Sequence, residues 1–426
     1  MAKRPYMKRV CDAVLALELE AAGAVLVEGP KWCGKSRTAG EIAKSAVMMQ
    51  DPDKAVSYMK AARTMPSLLL RGETPHLVDE WQVAPVLWDA VRAEVDRRGG
   101  MGHFILTGSA TPPDGDESVK RRHTGTGRIA RMRMRTMSLW ESGESTGGVS
   151  LHALFDGNDD VGDASRISVP DIARLVCRGG WPESVGLPER AAYRISSNYV
   201  RAVVEEDIHR VDGVERNPER VRALLRSLSR NISTLASIGT VSGDMLANDA
   251  SASDKTVAAY TNALRRLFLV EDTPAWMPTL RSKTAIRSSP KRQFVDPSIA
   301  TAAMGIGPER LLRDLNTFGF LFESLCTRDL RVYAQAMDGT VSHYRDKNGL
   351  EADLVVSLPD GRWAPVEVKL GEGEVDEAAV HLRKLASMVD FEKTGAPSFL
   401  MILTGTPLAH KRSDGVVVCP LGCLRP

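Results

Sequence analysis

Apolar residues in the amino-terminal third of the chain come in short runs, at 24–27, 68–70, 76–78 and 103–106, separated by amphipathic stretches, one of which starts a helix at Lys35. Strand-like runs alternating with helices predict an α/β fold with a parallel sheet covered by helices. Between 141 and 168 the pattern dissolves into Gly, Ser and Asp, including Gly147-Gly148 and Gly157-Asn158-Asp159-Asp160, which predicts a loop or hinge. Helical spacing returns from 166 to about 214, with Tyr199, Val200, Val203 and Val204 as an apolar stripe. Pro218 opens a further amphipathic helix, in which Val221, Leu224, Leu225 and Leu228 share one face and Arg222, Arg226 and Arg230 another. The stretch 239–270 reads as a short helix, a turn and a longer helix, with Ser253 as N-cap and Val257, Tyr260, Leu264 and Leu267 facing inward. A basic, Ser-rich stretch at 281–292 leads to helical spacing at 318–333 and then to three strand-like runs, separated by Lys347-Asn348-Gly349 and Pro359-Asp360-Gly361.

Composition narrows the function classes. With 426 residues and 43% hydrophobic content the chain can bury several cores, and its length predicts two to four domains. Fifty-six Lys and Arg against 54 Asp and Glu leave no global field to draw the protein onto nucleic acid or an anionic membrane, so any nucleic-acid contact must come from local patches. The amino-terminal apolar stretch is broken by Glu18 and Glu20, which argues against a signal peptide, and no run reaches membrane-spanning length. The cysteines at 11, 33, 177, 326, 419 and 423 lack paired metal-ligand spacing, so a reduced, cytoplasmic protein is the simplest expectation.

The sharpest chemistry follows the first apolar run. Gly29, Pro30, Lys31, Trp32, Cys33, Gly34, Lys35 and Ser36, with Arg37 beyond, fit a phosphate-binding loop, whose inward-turned backbone N–H groups need glycine where a side chain would strike the ligand. Lys35 would reach the β- and γ-phosphates of ATP, and Ser36 would hold Mg²⁺. His76-Leu77-Val78-Asp79-Glu80 supplies the second element of an ATPase: Asp79 for the metal shell and Glu80 to orient or deprotonate water. In isolation such an acid pair reads as the cap of the following helix, and its place after a phosphate loop reverses that reading. Thr107 and Ser109 end another apolar strand, where a hydroxyl can sense the γ-phosphate or satisfy a turn. Between 120 and 135 lie basic residues without an acid. Arg128, after Gly127, is the candidate arginine finger, acting within its own chain or across an oligomer. For Arg131, Arg133 and Arg135 a solvated edge strand competes with contact to phosphate.

Near the carboxyl end, strand alternation sets Glu367 and Lys369 on one face, and a neighbouring hairpin strand can bring Asp353 beside them, with Glu323 on the preceding helix. That is the geometry of PD-(D/E)xK nucleases, in which carboxylates hold Mg²⁺ and the lysine steadies the attacking hydroxide or the transition state. A Glu-x-Lys element alone reads as an exposed cross-strand salt bridge, and it is the spacing to Asp353 and the preceding Glu323 that point to the nuclease fold.

Together, the phosphate loop, Leu77-Val78-Asp79-Glu80-Trp81-Gln82, Leu106-Thr107-Gly108-Ser109, Gly127-Arg128-Ile129, Arg178-Gly179-Gly180-Trp181-Pro182-Glu183 and these tail motifs resemble a bacterial and archaeal family of AAA-type ATPases bearing a C-terminal domain of unknown function. The resemblance implies a P-loop NTPase core at 1–165, a helical lid at 166–215, a winged-helix domain at 216–282 and a restriction-endonuclease-like α/β domain at 283–426. Cys33 in the loop departs from the pattern, as does Glu205-Glu206-Asp207, where a basic residue is expected before the aspartate. The expected function is ATP hydrolysis coupled to a DNA-facing winged helix and a metal-dependent nuclease-like tail, with Arg222, Arg226 and Arg230, or Lys255, Arg265 and Arg266, as candidate phosphate contacts. The alternative is a regulatory nucleotide switch that binds a protein partner and cuts nothing.

Overall fold

Strand β1 (Ala24–Glu28) is buried along nearly its whole length because both its faces are covered: Ala24 and Leu26 join one apolar cluster, while Val25 and Val27 join another on the opposite side of the sheet. It runs parallel to β4 (Phe104–Gly108) and β5 (Ile129–Arg133), and β4 runs parallel to β3 (His76–Asp79), itself parallel to β2 (Ser45–Met48). The sheet order is β2, β3, β4, β1, β5, an all-parallel sheet flanked by the helices α1 (Cys11–Ala21), α2 (Lys35–Ile42), α3 (Ala55–Thr64) and α4 (Val86–Arg98). Burial on both faces is why these strands read as continuous apolar runs. Residues 68–70 differ from the sequence expectation. They lie in the 3₁₀ turn Pro66–Leu70, where Pro66 fixes the first position and Leu69 and Leu70 are buried, while the sheet edge is β2, in which only Val47 is buried.

The structure, a computed structural model, describes residues 5–109, 124–246, 253–277, 289–346, 349–389 and 394–426. Parts of the basic run at 120–135 and of the Ser-rich stretch, and Lys347-Asn348 of the first turn, lie outside the described residues. The chain divides into two compact units, the first made of residues 1–135, 206–215 and 263–268 and the second of 136–205, 216–262 and 269–426.

In the second unit the stretch expected as a loop contains β6 (Val149–Ser150), the short helix Leu151–Phe155 and β7 (Gly162–Ala164). β7 pairs with β12 (Leu408–Lys411), so this Gly-rich segment supplies an outer strand of the C-terminal sheet. The sheet order is β7, β12, β13 (Val417–Pro420), β11 (Met401–Thr404), β10 (Trp363–Lys369), β9 (Glu351–Ser357), β8 (Thr340–Arg345), and β14 (Leu424–Arg425) pairs with β6. β10, β11 and β13 are parallel, and β9 is antiparallel to β10 and to β8.

Helical spacing after residue 166 is broken at Gly179-Gly180 into Val169–Arg178 and Glu189–Ala202, and the second helix widens into a π-turn at Val203–Asp207. The break is structural. A Cβ on Gly180 would meet the Met137 carbonyl oxygen at 2.1 Å, and the Gly180 N–H donates to the buried Asp296 carboxylate at 2.9 Å. Trp181 is fully buried, donates to Ser298 Oγ at 3.0 Å and stacks against Tyr199 with ring centroids 4.4 Å apart. The helix Pro218–Arg230 buries Val221, Leu224, Leu225 and Leu228, as its periodicity predicts. Ile238–Leu246 and Asp254–Arg266 follow, the second capped by Ser253, whose Oγ accepts the Thr256 N–H at 3.3 Å. Antiparallel bridges then join Val270 to Phe294 and Thr273 to Lys291.

Candidate functional site

The loop between β1 and α2 is built around two glycines with different tasks. A Cβ at Gly29 would lie 2.1 Å from the Met134 carbonyl oxygen, and Gly34 has φ +108°, a conformation side chains rarely adopt. Cys33 points away from the loop's concave side into the core, fully buried, so its departure from the family pattern changes packing rather than the lining. Arg9 braces the loop from beneath, donating to the carbonyl oxygens of Cys33 at 2.8 Å and Arg135 at 2.9 Å. Lys35, 5% exposed, folds back to donate to the carbonyl oxygens of Gly29 at 2.9 Å and Pro30 at 2.8 Å. Lys31 pairs with Asp207 at 2.5 Å, Trp32 is exposed, and Arg37 pairs with Glu41 at 3.0 Å. Asp207 thus has a partner in the phosphate loop, a contact that local reading of Glu205-Glu206-Asp207 does not reveal.

Two strands away, β3 ends in the acid pair, with β4 between β3 and β1. Thr107 on β4 donates to Asp79 Oδ1 at 2.6 Å and accepts the Glu80 N–H at 3.1 Å. Ser109 donates to Glu80 Oε2 at 3.0 Å, and Gln82 Nε2 also contacts that oxygen. The two hydroxyls therefore hold the acids. Glu80 has φ 54° and ψ 49°, a left-handed conformation that turns its side chain out at the end of β3 and that non-glycine residues seldom hold without a structural reason. Gln82 Oε1 is buried with no hydrogen-bond partner among the described residues, a vacant acceptor beside the Glu80 carboxylate. The residues fit a Mg²⁺-nucleotide: Ser36 stands in the first turn of α2, and Asp79 commits Oδ1 to Thr107 while its other carboxylate oxygen remains to face a metal shell.

Arg128 is not brought to this end of the sheet. Its carbonyl accepts the Ala24 N–H at 2.9 Å, at the amino-terminal edge of β1, and its guanidinium pairs with Asp96 at 2.8 Å. β1 has five residues, so the full strand, about 16 Å at its normal rise, separates Arg128 from the loop of its own chain. Arg131 and Arg133 on the edge strand each lie 3.5 Å from Glu28 and sit over Trp88 and Phe268 respectively, while Arg135 offers its carbonyl to Arg9. These contacts accord with a charged edge strand.

The second constellation lies within the second unit. Glu323 is buried on the helix Leu315–Gln335, Asp353 lies on β9, and Glu367 and Lys369 lie on β10. The antiparallel register pairs Val366 with Leu354, and one step further Glu367 stands opposite Asp353. Asp353 Oδ2 accepts the Val368 N–H at 2.9 Å, and Lys369 Nζ lies 3.2 Å from Glu367 Oε2. A residue with no place in the sequence motif completes the group: Lys291 Nζ donates to Glu323 Oε1 at 2.8 Å and Asp353 Oδ1 at 3.3 Å. As they stand these donors do not fit a divalent ion, since each carboxylate is already committed to an ammonium or an N–H. Among the described residues no group of three or more His, Cys, Asp or Glu side chains is arranged to hold a metal.

Burial, reinforced by the neighbouring Asp353 charge and opposed by Lys369, pushes the Glu367 carboxyl up to about 9, and burial pushes Glu323 up to about 7 against the pull of Lys291. Burial acts to raise Asp353 too, but Lys291, Lys369 and the Val368 N–H hold it below the usual carboxylate range. Glu367 therefore keeps a proton that the unfolded chain releases near pH ~4.3. Between that value and about 9 the native state binds more protons, so this group makes stability fall as pH rises. Glu367→Gln, a neutral isostere, is expected to be as stable as the wild type below pH ~4 and increasingly the more stable of the two towards pH 9, as read from urea midpoints. A difference that stays constant across that range would show that Glu367 is ionised in the native protein.

The candidate nucleic-acid contacts are partly spent. Arg222 pairs with Glu219 at 2.6 Å and Glu205 at 3.2 Å, Arg230 with Asp244 at 2.5 Å and Arg266 with Asp212 at 3.8 Å, whereas Arg226 is exposed. Arg222, Arg226 and Arg230 line a groove of about 860 Å³ floored by Val200, Leu225 and Met245. The six cysteines are buried, and among the described residues no helix is long and apolar enough to cross a membrane.

Residues 21–142 match a family described as an AAA domain. Residues 169–310 and 318–424 match two families described as domains of unknown function, DUF8612 and DUF4143. No curated protein matches the chain. Among solved structures it is similar to the Walker-type ATPase PABY2304 of Pyrococcus abyssi, at a TM-score of 0.40 and 13% identity over 71% of this chain and 98% of that one, a likeness too slight to bear on fold or activity.

Proposed function

We propose that this chain binds and hydrolyses ATP, and that nucleotide state is relayed to its helical and C-terminal parts. The observation that carries this reading is the ordered acid pair: Thr107 and Ser109 fix Asp79 and Glu80 at the carboxyl end of β3, on the same sheet as a phosphate loop that already holds its lysine buried. The match of 21–142 to an AAA domain supports it. Backbone N–H groups of 31–36 and Lys35 would take the β- and γ-phosphates, and Ser36 and Asp79 would hold Mg²⁺, which would supply charge neutralisation on the phosphates. Glu80 orients the attacking water.

Glu80→Gln is expected to leave ATP affinity unchanged and to lower the rate of phosphate release by about 10²–10⁴-fold, the usual contribution of a positioned base. Unchanged turnover in that variant would reject the role. An arginine finger at Arg128 belongs to this proposal only across an oligomer, acting on another copy's nucleotide, because of its place at the far edge of the sheet.

For the remainder, the lid at 166–215, the winged helix at 216–282 and the tail at 283–426 form a responder, DNA-facing in the first reading. One observation favours the second reading, a nucleotide switch without nuclease activity: the carboxylates expected to hold Mg²⁺ in the tail are occupied by lysines. ATPase rates with and without DNA, together with plasmid cleavage in Mg²⁺ against Glu367→Ala and Lys369→Ala controls, separate the two readings. Cleavage lost in both controls establishes the nuclease, and cleavage absent or unaffected leaves the switch.

A further inference from the structure

Lys291 is placed by its backbone. It exchanges both hydrogen bonds with Thr273, N–H to carbonyl at 3.0 Å and carbonyl to N–H at 2.9 Å, so the side chain leaves from a fixed bridge. The ammonium ends 2.8 Å from Glu323 Oε1, 3.3 Å from Asp353 Oδ1 and 3.3 Å from the Asp353 carbonyl oxygen, with only 12% of the side chain exposed. Three acceptors match the three N–H donors of an ammonium group. A divalent ion in the same place would need about six oxygen ligands at roughly 2.0–2.6 Å. Two of the neighbouring oxygens are taken as well: Asp353 Oδ2 by the Val368 N–H and Glu367 Oε2 by Lys369.

We infer that Lys291 is the resident cation of the Glu323, Asp353 and Glu367 cluster, and that its ammonium excludes Mg²⁺ and Mn²⁺ from the place they would otherwise take. The cluster is then an ionic tie between three separate parts of the chain: the segment bridged to Thr273, the helix Leu315–Gln335 and the β9-β10 hairpin. Removing the ammonium converts it into a vacant carboxylate site with a metal-binding donor set.

The test is Mn²⁺ binding to the nucleotide-free, full-length protein, followed by electron paramagnetic resonance and calorimetry. The wild type is expected to show no Mn²⁺ site that Glu323→Gln removes. Lys291→Met is expected to gain one, at least tenfold tighter than any wild-type binding at the cluster, a margin of ~1.4 kcal/mol, and the double variant Lys291→Met/Glu323→Gln is expected to lose it. A wild-type site abolished by Glu323→Gln overturns the inference, and so does a folded Lys291→Met that binds no more Mn²⁺ than the wild type. If Lys291→Met is too unstable to titrate, melting temperatures decide: the double variant is expected to melt several degrees above the single one, because its carboxylate is no longer left without a counterion. No recovery overturns the inference.

Discussion

Lys35→Ala is expected to abolish ATP binding, with affinity falling by about 10²–10⁴-fold, the equivalent of two charge-assisted hydrogen bonds worth about 1.5–3 kcal/mol each. The amine is already desolvated at 5% exposure and already aimed along the loop, held by the carbonyls of Gly29 and Pro30. A triphosphate therefore meets a preorganised donor whose water has been stripped in advance, so little of the interaction is lost to ordering. Lys35→Arg is expected to rescue poorly, since a planar fork cannot occupy the space between two main-chain carbonyls as a compact ammonium does. Titration with a fluorescent ATP analogue reads the effect, and circular dichroism checks that the loop's loss of an internal brace has not unfolded the sheet. Affinity within about threefold of the wild type would remove the phosphate loop from the account.

The largest effect on stability is expected at the buried ionic knot of the second unit. Asp296 accepts hydrogen bonds from Thr136 Oγ1 at 2.7 Å, Gly180 N at 2.9 Å, Ser298 N at 2.9 Å, Ser298 Oγ at 2.6 Å and Arg328 Nη1 at 3.3 Å. Arg328 also donates from Nε to Asp329 Oδ1 at 2.8 Å, while Asp329 Oδ2 takes the Leu139 N–H at 3.0 Å. Arg328 and both aspartates have side chains at most 1% exposed. Burial works to raise the Asp296 carboxyl, but Arg328 and the surrounding donors hold it below the usual range. Arg328→Met strands two carboxylates away from water and is expected to cost about 3–5 kcal/mol, lowering the melting temperature by roughly 10 °C. Asp296→Asn, which keeps the shape and one acceptor oxygen, is expected to cost less. A change under about 1 kcal/mol for Arg328→Met would mean that water reaches the site.

The loop between β1 and α2 and the strand end at Asp79 are legible because each is contiguous: eight residues make one turn, and five make one strand end. The strand pair carrying Asp353, Glu367 and Lys369 was legible for a similar reason, since period-two alternation and a Pro-Asp-Gly turn fix which side chains share a face. Lys291 and Asp207 were not, because their partners lie 32 and 176 residues away and nothing local marks the contact. Residues 68–70 failed as a strand because a short apolar run suits a buried 3₁₀ turn as well, and β2 was missed because an edge strand with one buried residue leaves no run to see. Arg128 illustrates a different limit. Its place just before β5 is visible in the sequence, but which end of the sheet the start of β5 falls on depends on strand direction, and that is set by parallel pairing with β1. The Arg178-to-Glu183 motif carried a family resemblance, yet its glycine and tryptophan serve the Asp296 knot and the core.

The first unit draws its last residues from 263–268, long after the sheet closes with β5 at Arg133. A ribosome making this chain at ~5–20 residues per second needs on the order of ten seconds between those points. For about the first half of that interval Asp207 has not been made, and Lys31 lacks that carboxylate. Proteolytic fragments ending near residue 165 would inherit the same defect, so an isolated amino-terminal piece is a poor surrogate for the full chain.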